Sequence, residues 1–89
     1  MRSIIPDDLE YRCYLCGKVG TTQVHHMLHG SYRKNADLFG LTVHLCPRCH
    51  RELHDKREND LFLQKTAQRK FEQSYSHNDF MKIFGRNWL

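Results

Sequence analysis

The four cysteines of the chain form two close pairs, Cys13 with Cys16 and Cys46 with Cys49. Cysteines separated by two residues can direct both thiolates at one ion, and two such pairs complete the tetrahedral coordination that Zn²⁺ prefers. Disulfide bonds are the competing use, but the N-terminal residues lack the apolar core of a signal peptide, so we expect a cytoplasmic, reducing environment. The spacing therefore predicts a closed structural zinc site.

Seven histidines are present, among them the doublet His25-His26 and the pair His50 and His54. Neighbouring residues of a strand face opposite ways, so the doublet is expected to serve two roles. Residues four apart share one face of a helix. Three imidazoles on one ion, two from a helix and one from a strand, would leave a position open for water or phosphate, as a catalytic site requires. For any single histidine, a surface or hydrogen-bonded structural role is the alternative.

Two short strands are expected to bring these groups together. Residues 21–27 are rich in β-branched side chains, lie between Gly20 and Gly30 and contain the doublet. Residues 41–45 form a second predicted strand that leads directly into Cys46. Gly17 allows the positive φ that the turn after the first cysteine pair requires.

Helices are predicted for most of the remaining chain. Pro47 suits the first turn of a helix that would continue through His54. A second helix is expected after residues 58–60, and a short third helix should end at Gly85, with the aromatic ring of Trp88 packing back onto the domain.

Length and charge set limits on function. A chain of 89 residues buries little apolar surface, so we expect a single domain, residues 1–89, whose stability depends on metal. Fourteen Lys and Arg against ten Asp and Glu give a formal net charge of +4, which suits nucleic acid without requiring it. No segment approaches the roughly 18 apolar residues of a membrane span, so no membrane partner is expected.

The motifs resemble those of the HNH endonucleases, in their cysteine-containing variant. The resemblance covers about half of the chain, and the remaining segments are similar to small prophage HNH proteins of Gram-positive bacteria. Its motifs are Cys13-Tyr-Leu-Cys16-Gly17, Val24-His25-His26 and Leu45-Cys46-Pro-Arg-Cys49-His50-Arg-Glu-Leu-His54. It implies a small α+β fold: a zinc-stapled treble clef with a ββα-metal core at about residues 11–58 and a C-terminal helical extension at about 59–89.

The resemblance also implies an activity. The chain would be a metal-dependent DNA endonuclease that hydrolyses phosphodiester bonds during phage DNA processing or recombination, in a bacterial host or phage-infected cell. His26 would be the general base, while His25, His50 and His54 would bind a catalytic Mg²⁺, Mn²⁺, Ni²⁺ or Zn²⁺. The partner would be DNA. The chain would also pair with a second copy of itself or work beside a larger DNA-processing protein. The residues predicted to contact phosphate are basic: Arg33, Lys34, Arg48 and Arg51.

One family position differs. Many members carry an asparagine nine residues before the histidine that follows the second cysteine pair, and its side chain orients the base. Here that position is Leu41, so either Asn35 or a backbone carbonyl substitutes for the asparagine, or the orienting contact is absent. His44 is interpreted as a strand-surface residue, and His29 receives no role.

Two other functions compete with nuclease activity. In the first, the chain is a non-catalytic treble-clef module that binds nucleic acid or protein. In the second, all the candidate ligands form a compact structural finger with two zinc ions.

Overall fold

The computed structural model describes residues 2–89. Within this range the fold is α+β, as predicted, with one two-stranded antiparallel sheet and helices. The elements in chain order are β1 (Gln23–His26), a 3-10 turn (Gly30–Tyr32), α1 (Arg33–Leu38), β2 (Thr42–Leu45), α2 (Pro47–Glu52), α3 (Arg57–Ser74) and α4 (His77–Phe84).

The hairpin of β1 and β2 carries the histidine doublet. His25 lies opposite Val43, and His26 lies opposite Thr42. The 3-10 turn and α1 form the connection between the strands, which Gly40 closes with a φ of +71°. A Cβ at this glycine would collide with the backbone carbonyl of Arg2, so the N-terminal segment packs closely here.

The helix after the second cysteine pair is shorter than predicted. α2 ends at Glu52, whose carbonyl accepts hydrogen bonds from the backbone N–H groups of Asp55 at 3.0 Å and Lys56 at 2.9 Å. These bonds close a turn that leads into α3. The prediction that this helix continues through His54 is therefore wrong, since His54 lies in the turn.

A single apolar core joins the hairpin to the C-terminal helices. α3 buries four side chains, including Phe71, and α4 buries Phe80 and Phe84. Trp88 is 7% exposed, and its backbone N–H donates to the Gln68 side chain at 2.7 Å. The prediction that this tryptophan packs back is confirmed.

The ends of α4 follow from its sequence. Ser76 and Asp79 form a capping box at its N-terminus, and Gly85 ends it in the left-handed conformation with a φ of +71°. None of the helices in residues 2–89 is both long and apolar enough to cross a membrane.

Candidate metal centre and histidine cavity

The four cysteines converge as predicted. All four Sγ atoms lie within 4.8 Å of one another, and those of Cys16 and Cys46 are 3.8 Å apart. A tetrahedral zinc ion with metal–sulfur bonds of about 2.3 Å places its sulfurs about 3.8 Å apart. The cluster could therefore hold a structural metal ion such as zinc.

Local backbone geometry builds this cluster from both sides. Gly17, with a φ of +79°, donates its backbone N–H to the Cys13 carbonyl at 2.9 Å and so forms the first turn. The Cys16 N–H donates to the Cys13 sulfur at 3.5 Å, and the Cys49 N–H donates to the Cys46 sulfur at 3.4 Å. Because backbone N–H groups stabilise negative charge, both turns favour thiolates.

The thiols differ in acidity for physical reasons. Burial opposes ionisation of Cys13, but hydrogen bonds from nearby backbone N–H groups outweigh it and lower the pKa of Cys13 to about 6. The N–H of Cys49 likewise lowers the pKa of Cys46. Burial and the neighbouring thiols raise the pKa of Cys49 well above its usual range. The cluster thus resists carrying four negative charges on its own, and a divalent cation would replace the remaining protons.

A separate cavity of about 550 Å³ lies between β1, α2 and the start of α3. Five histidines border it, together with an acidic residue and two arginines. Its polar lining consists of His25, His26, His29, His50, His54, Asp60, Arg33 and Arg57. The structure thus brings all four histidines predicted for a catalytic site to one cavity.

His25 is the most buried of these histidines, at 8% exposure. Its Nε2 atom is buried and has no hydrogen-bond partner among residues 2–89. The ring lies 5.2 Å from that of His50, measured between centroids, and 6.4 Å from that of His29. Burial, aided by the nearby His50, lowers the pKa of His25 to about 4. Its imidazole is therefore neutral near pH 7, with a nitrogen available to a ligand.

His50 is held in one orientation by Gln23. The distance from His50 Nδ1 to Gln23 Oε1 is 2.7 Å. Because an amide oxygen only accepts hydrogen bonds, Nδ1 carries a proton, and in the neutral ring Nε2 keeps its lone pair. An outer partner of this kind usually fixes the tautomer of a metal-binding histidine.

The histidines surround the cavity more loosely than the cysteines surround their centre. In the described part of the chain, the cysteines are the only group of three or more metal-ligating side chains whose atoms lie within 4.8 Å of one another. His54 is exposed and reaches the cavity rim from the turn after α2. A divalent ion bound there would require the side chains to move closer together.

Asp37, which lies on α1, forms a hydrogen bond with the ring of His26. The distance from His26 Nε2 to Asp37 Oδ1 is 3.1 Å, and the His26 side chain is 15% exposed. This hydrogen bond lowers the pKa of Asp37. Sequence reasoning did not single out Asp37, because no local pattern indicates which helical carboxylate will meet the strand.

Two further carboxylate–histidine pairs were also missed. His29 Nε2 lies 3.0 Å and 3.2 Å from the two carboxylate oxygens of Asp60, in the first turn of α3. Asp8, whose side chain is 2% exposed, contacts both the backbone N–H and Nδ1 of His44, at 2.7 Å and 2.8 Å. His44 thus has a structural environment, away from the cavity lining.

The four predicted phosphate contacts occupy different places. Arg33 borders the histidine cavity, and together with Lys34 it also borders a smaller cavity shared by His26 and Asp37. Arg48 lies near the cysteine cluster, where the Cys16 sulfur is the main cause that raises its pKa. Arg51 is exposed on α2.

Comparisons of the chain with family profiles, curated proteins and solved structures gave no match.

Proposed function

We propose that this chain is a metal-dependent HNH DNA endonuclease, with a ββα-metal core stapled by zinc in a treble-clef arrangement. The observation that carries the proposal is the arrangement of the doublet. His25 presents a buried, unpartnered nitrogen beside His50, while the adjacent His26 borders the same cavity and is held by a carboxylate. The cysteine cluster would hold a structural ion, which leaves the histidines available for chemistry.

The donor set fits a divalent cation. Nε2 of His25 lacks a partner, and Nε2 of His50 keeps its lone pair because Gln23 occupies the opposite nitrogen. His54, at the rim, is the third imidazole in the proposal. When bound, a divalent ion would stabilise the negative charge that develops on the scissile phosphate and on the leaving 3′ oxygen.

His26 would act as the general base. Its side chain takes the proton from the attacking water, and the Asp37 contact steadies the ring during the transfer. Attack at phosphorus then yields a 5′ phosphate and a 3′ hydroxyl. Placing the metal-binding and proton-accepting roles on adjacent strand residues keeps the two functions within one cavity while their rings point in different directions.

DNA would approach by its backbone. Arg33 borders both cavities beside His26, and Lys34 extends the basic surface. Such contacts position phosphates without reading sequence, so weak sequence preference and strong salt dependence are expected. A second copy or a larger DNA-processing protein of a phage or its host would supply selectivity.

Plasmid nicking tests the proposal. Zinc-loaded protein is incubated with supercoiled plasmid and Mg²⁺, Mn²⁺, Ni²⁺ or added Zn²⁺, and the open-circular product is measured. Replacement of His26 by Ala should lower the nicking rate by about 100-fold or more with metal content unchanged. His77→Ala, which alters an exposed histidine paired with Glu72 on the C-terminal helices, is the matched control. Equal activity of His26→Ala and wild type would refute the base assignment.

A non-catalytic zinc module is the second candidate function. The observation that favours it is that only the thiolates are closely assembled among the described residues, whereas the histidines stand apart. This candidate predicts one tightly held zinc per chain and binding of nucleic acid or protein without turnover in any divalent metal. The two-zinc finger instead predicts two zinc ions that resist exchange. Elemental analysis after dialysis, combined with the nicking assay, separates the three.

A further inference from the structure

The residue that should orient the general base is not where the HNH pattern places it. Leu41 occupies that position and is fully buried, with its backbone N–H bonded to Ala36 at 2.8 Å and its carbonyl bonded to Met27 at 3.0 Å. An aliphatic side chain in the core has no atom that can accept a hydrogen bond. Orientation of the His26 ring must therefore come from elsewhere.

Asn35, the substitute that sequence suggests, is engaged in another contact. Its Nδ2 donates to the carbonyl of Ile83 at 3.3 Å, which ties α1 to α4. Its amide therefore fastens the connection between the strands to the C-terminal helices.

Asp37 lies where it can orient the His26 ring. Its Oδ1 lies 3.1 Å from His26 Nε2. His26 borders both the histidine cavity and the smaller one, but Asp37 borders only the smaller cavity. The carboxylate therefore holds the ring from outside the histidine cavity, at the end of the imidazole away from Nδ1.

This contact determines which nitrogen can act. An ionised carboxylate only accepts hydrogen bonds, so Nε2 of His26 carries a proton, and in the neutral ring the lone pair lies on Nδ1. From these contacts we infer that Asp37 is the positioning residue for His26, presenting Nδ1 as the proton acceptor in place of the absent asparagine. The inference rests on the proposed nuclease function.

The substitution of a carboxylate for an amide has a chemical consequence. When Nδ1 takes the proton from water, the ring becomes an imidazolium, and a negative partner stabilises this cation more than a neutral amide does. Asp37 thus acts both on ring orientation and on the charge that appears during proton transfer.

A double-mutant cycle tests the inference. Asp37→Ala should lower kcat for plasmid nicking about 10- to 100-fold with little change in KM, as for other partners that act through a catalytic group. The same substitution in a His26→Ala background should cause no further loss, because the group it positions is gone. Asp37→Asn should fall between wild type and Asp37→Ala, since its amide oxygen can still accept from Nε2. Asp55→Ala, an exposed aspartate in the turn after α2, is the matched control and should have wild-type kcat.

Two results would overturn the positioning role. One is an Asp37→Ala enzyme with wild-type kcat. The other is an equal loss on adding Asp37→Ala to wild type and to His26→Ala, which would mark a general structural effect. Thermal unfolding of each zinc-loaded variant identifies any such loss of stability.

A measurement without catalysis separates this inference from the nuclease proposal. Long-range ¹H–¹⁵N NMR spectra of the zinc-loaded protein show which ring nitrogen carries the proton. Wild type should show His26 with its proton on Nε2, and Asp37→Ala should show a mixture of tautomers. If wild type does not cleave DNA under any metal, the nuclease proposal fails, whereas the tautomer result still decides whether Asp37 holds the ring. Identical tautomer populations in the two proteins would refute the positioning role.

Discussion

Removal of zinc from the cysteine cluster is expected to unfold the whole domain. Natural domains have net stabilities of about 0.05–0.15 kcal/mol per residue, or about 4–13 kcal/mol for a chain of 89 residues. Structural zinc in small domains contributes about 10–16 kcal/mol near neutral pH. The metal contribution is as large as the entire net stability, so the metal-free chain should have little or no folded population at 25 °C.

Trp88 provides the assay. It is the only tryptophan in the sequence, it is buried, and its ring packs against those of Tyr32 and Phe80 at centroid distances of 5.3 Å and 6.0 Å. Its fluorescence therefore reports on the C-terminal helices and their contact with the strand connection, instead of on the cysteine turns themselves. Addition of a zinc chelator should shift the emission to longer wavelength and reduce the helical circular dichroism together.

The controls are simple. Readdition of Zn²⁺ should restore both signals, while Mg²⁺ should not, because thiolates favour the softer ion. Cys46→Ser should behave like the chelated protein even with zinc present. A metal-free chain that keeps its buried tryptophan emission and unfolds cooperatively, with a loss of less than about 2 kcal/mol, would refute the reasoning and assign most of the stability to the apolar core.

Three further predictions, two of them with a matched control substitution, concern particular contacts. Phe71→Ala should lower the free energy of unfolding of the zinc-loaded protein by about 3–5 kcal/mol in urea titration, because the side chain is fully buried. The control is Phe62→Ala on the same helix. It should change that free energy by less than about 1 kcal/mol, because the Phe62 side chain is 49% exposed. Gly40→Ala should destabilise more than Gly30→Ala, since both have positive φ but only the former meets a backbone carbonyl. Gln23→Leu removes the hydrogen-bond acceptor that fixes the His50 ring. Calorimetry of the zinc-loaded protein should therefore show about 10- to 100-fold weaker Mn²⁺ or Ni²⁺ binding.

Much of the framework could be predicted because its signals are local. The cysteine spacing predicted the cluster, and the β-branched segment predicted a strand, although β1 ends at His26 and β2 begins only at Thr42. The end of α4 followed from Gly85. Each of these features depends on residues close in sequence, where turn geometry and capping decide the outcome.

The outer contacts of the histidines could not be predicted in this way. Asp37 meets His26 because α1 packs against β1. Asp60 meets His29 because the first turn of α3 lies beside the loop that follows β1. Such pairings depend on how helices are oriented in three dimensions. The error at His54 has another origin, since helical periodicity continues through it while hydrogen bonds to the Glu52 carbonyl turn the chain.

Because Cys49 and His50 are adjacent, α2 fixes the position of the cysteine cluster relative to the histidine cavity. The helix has six residues and is about 9 Å long. Cys46 caps its N-terminus, Cys49 is its third residue, and His50 follows Cys49 directly. A one-residue insertion between Cys49 and His50 would rotate the imidazole by about 100° and leave both cysteines in place. A chain that kept the four-cysteine cluster after such an insertion would therefore lose the His50 side chain from the histidine cavity.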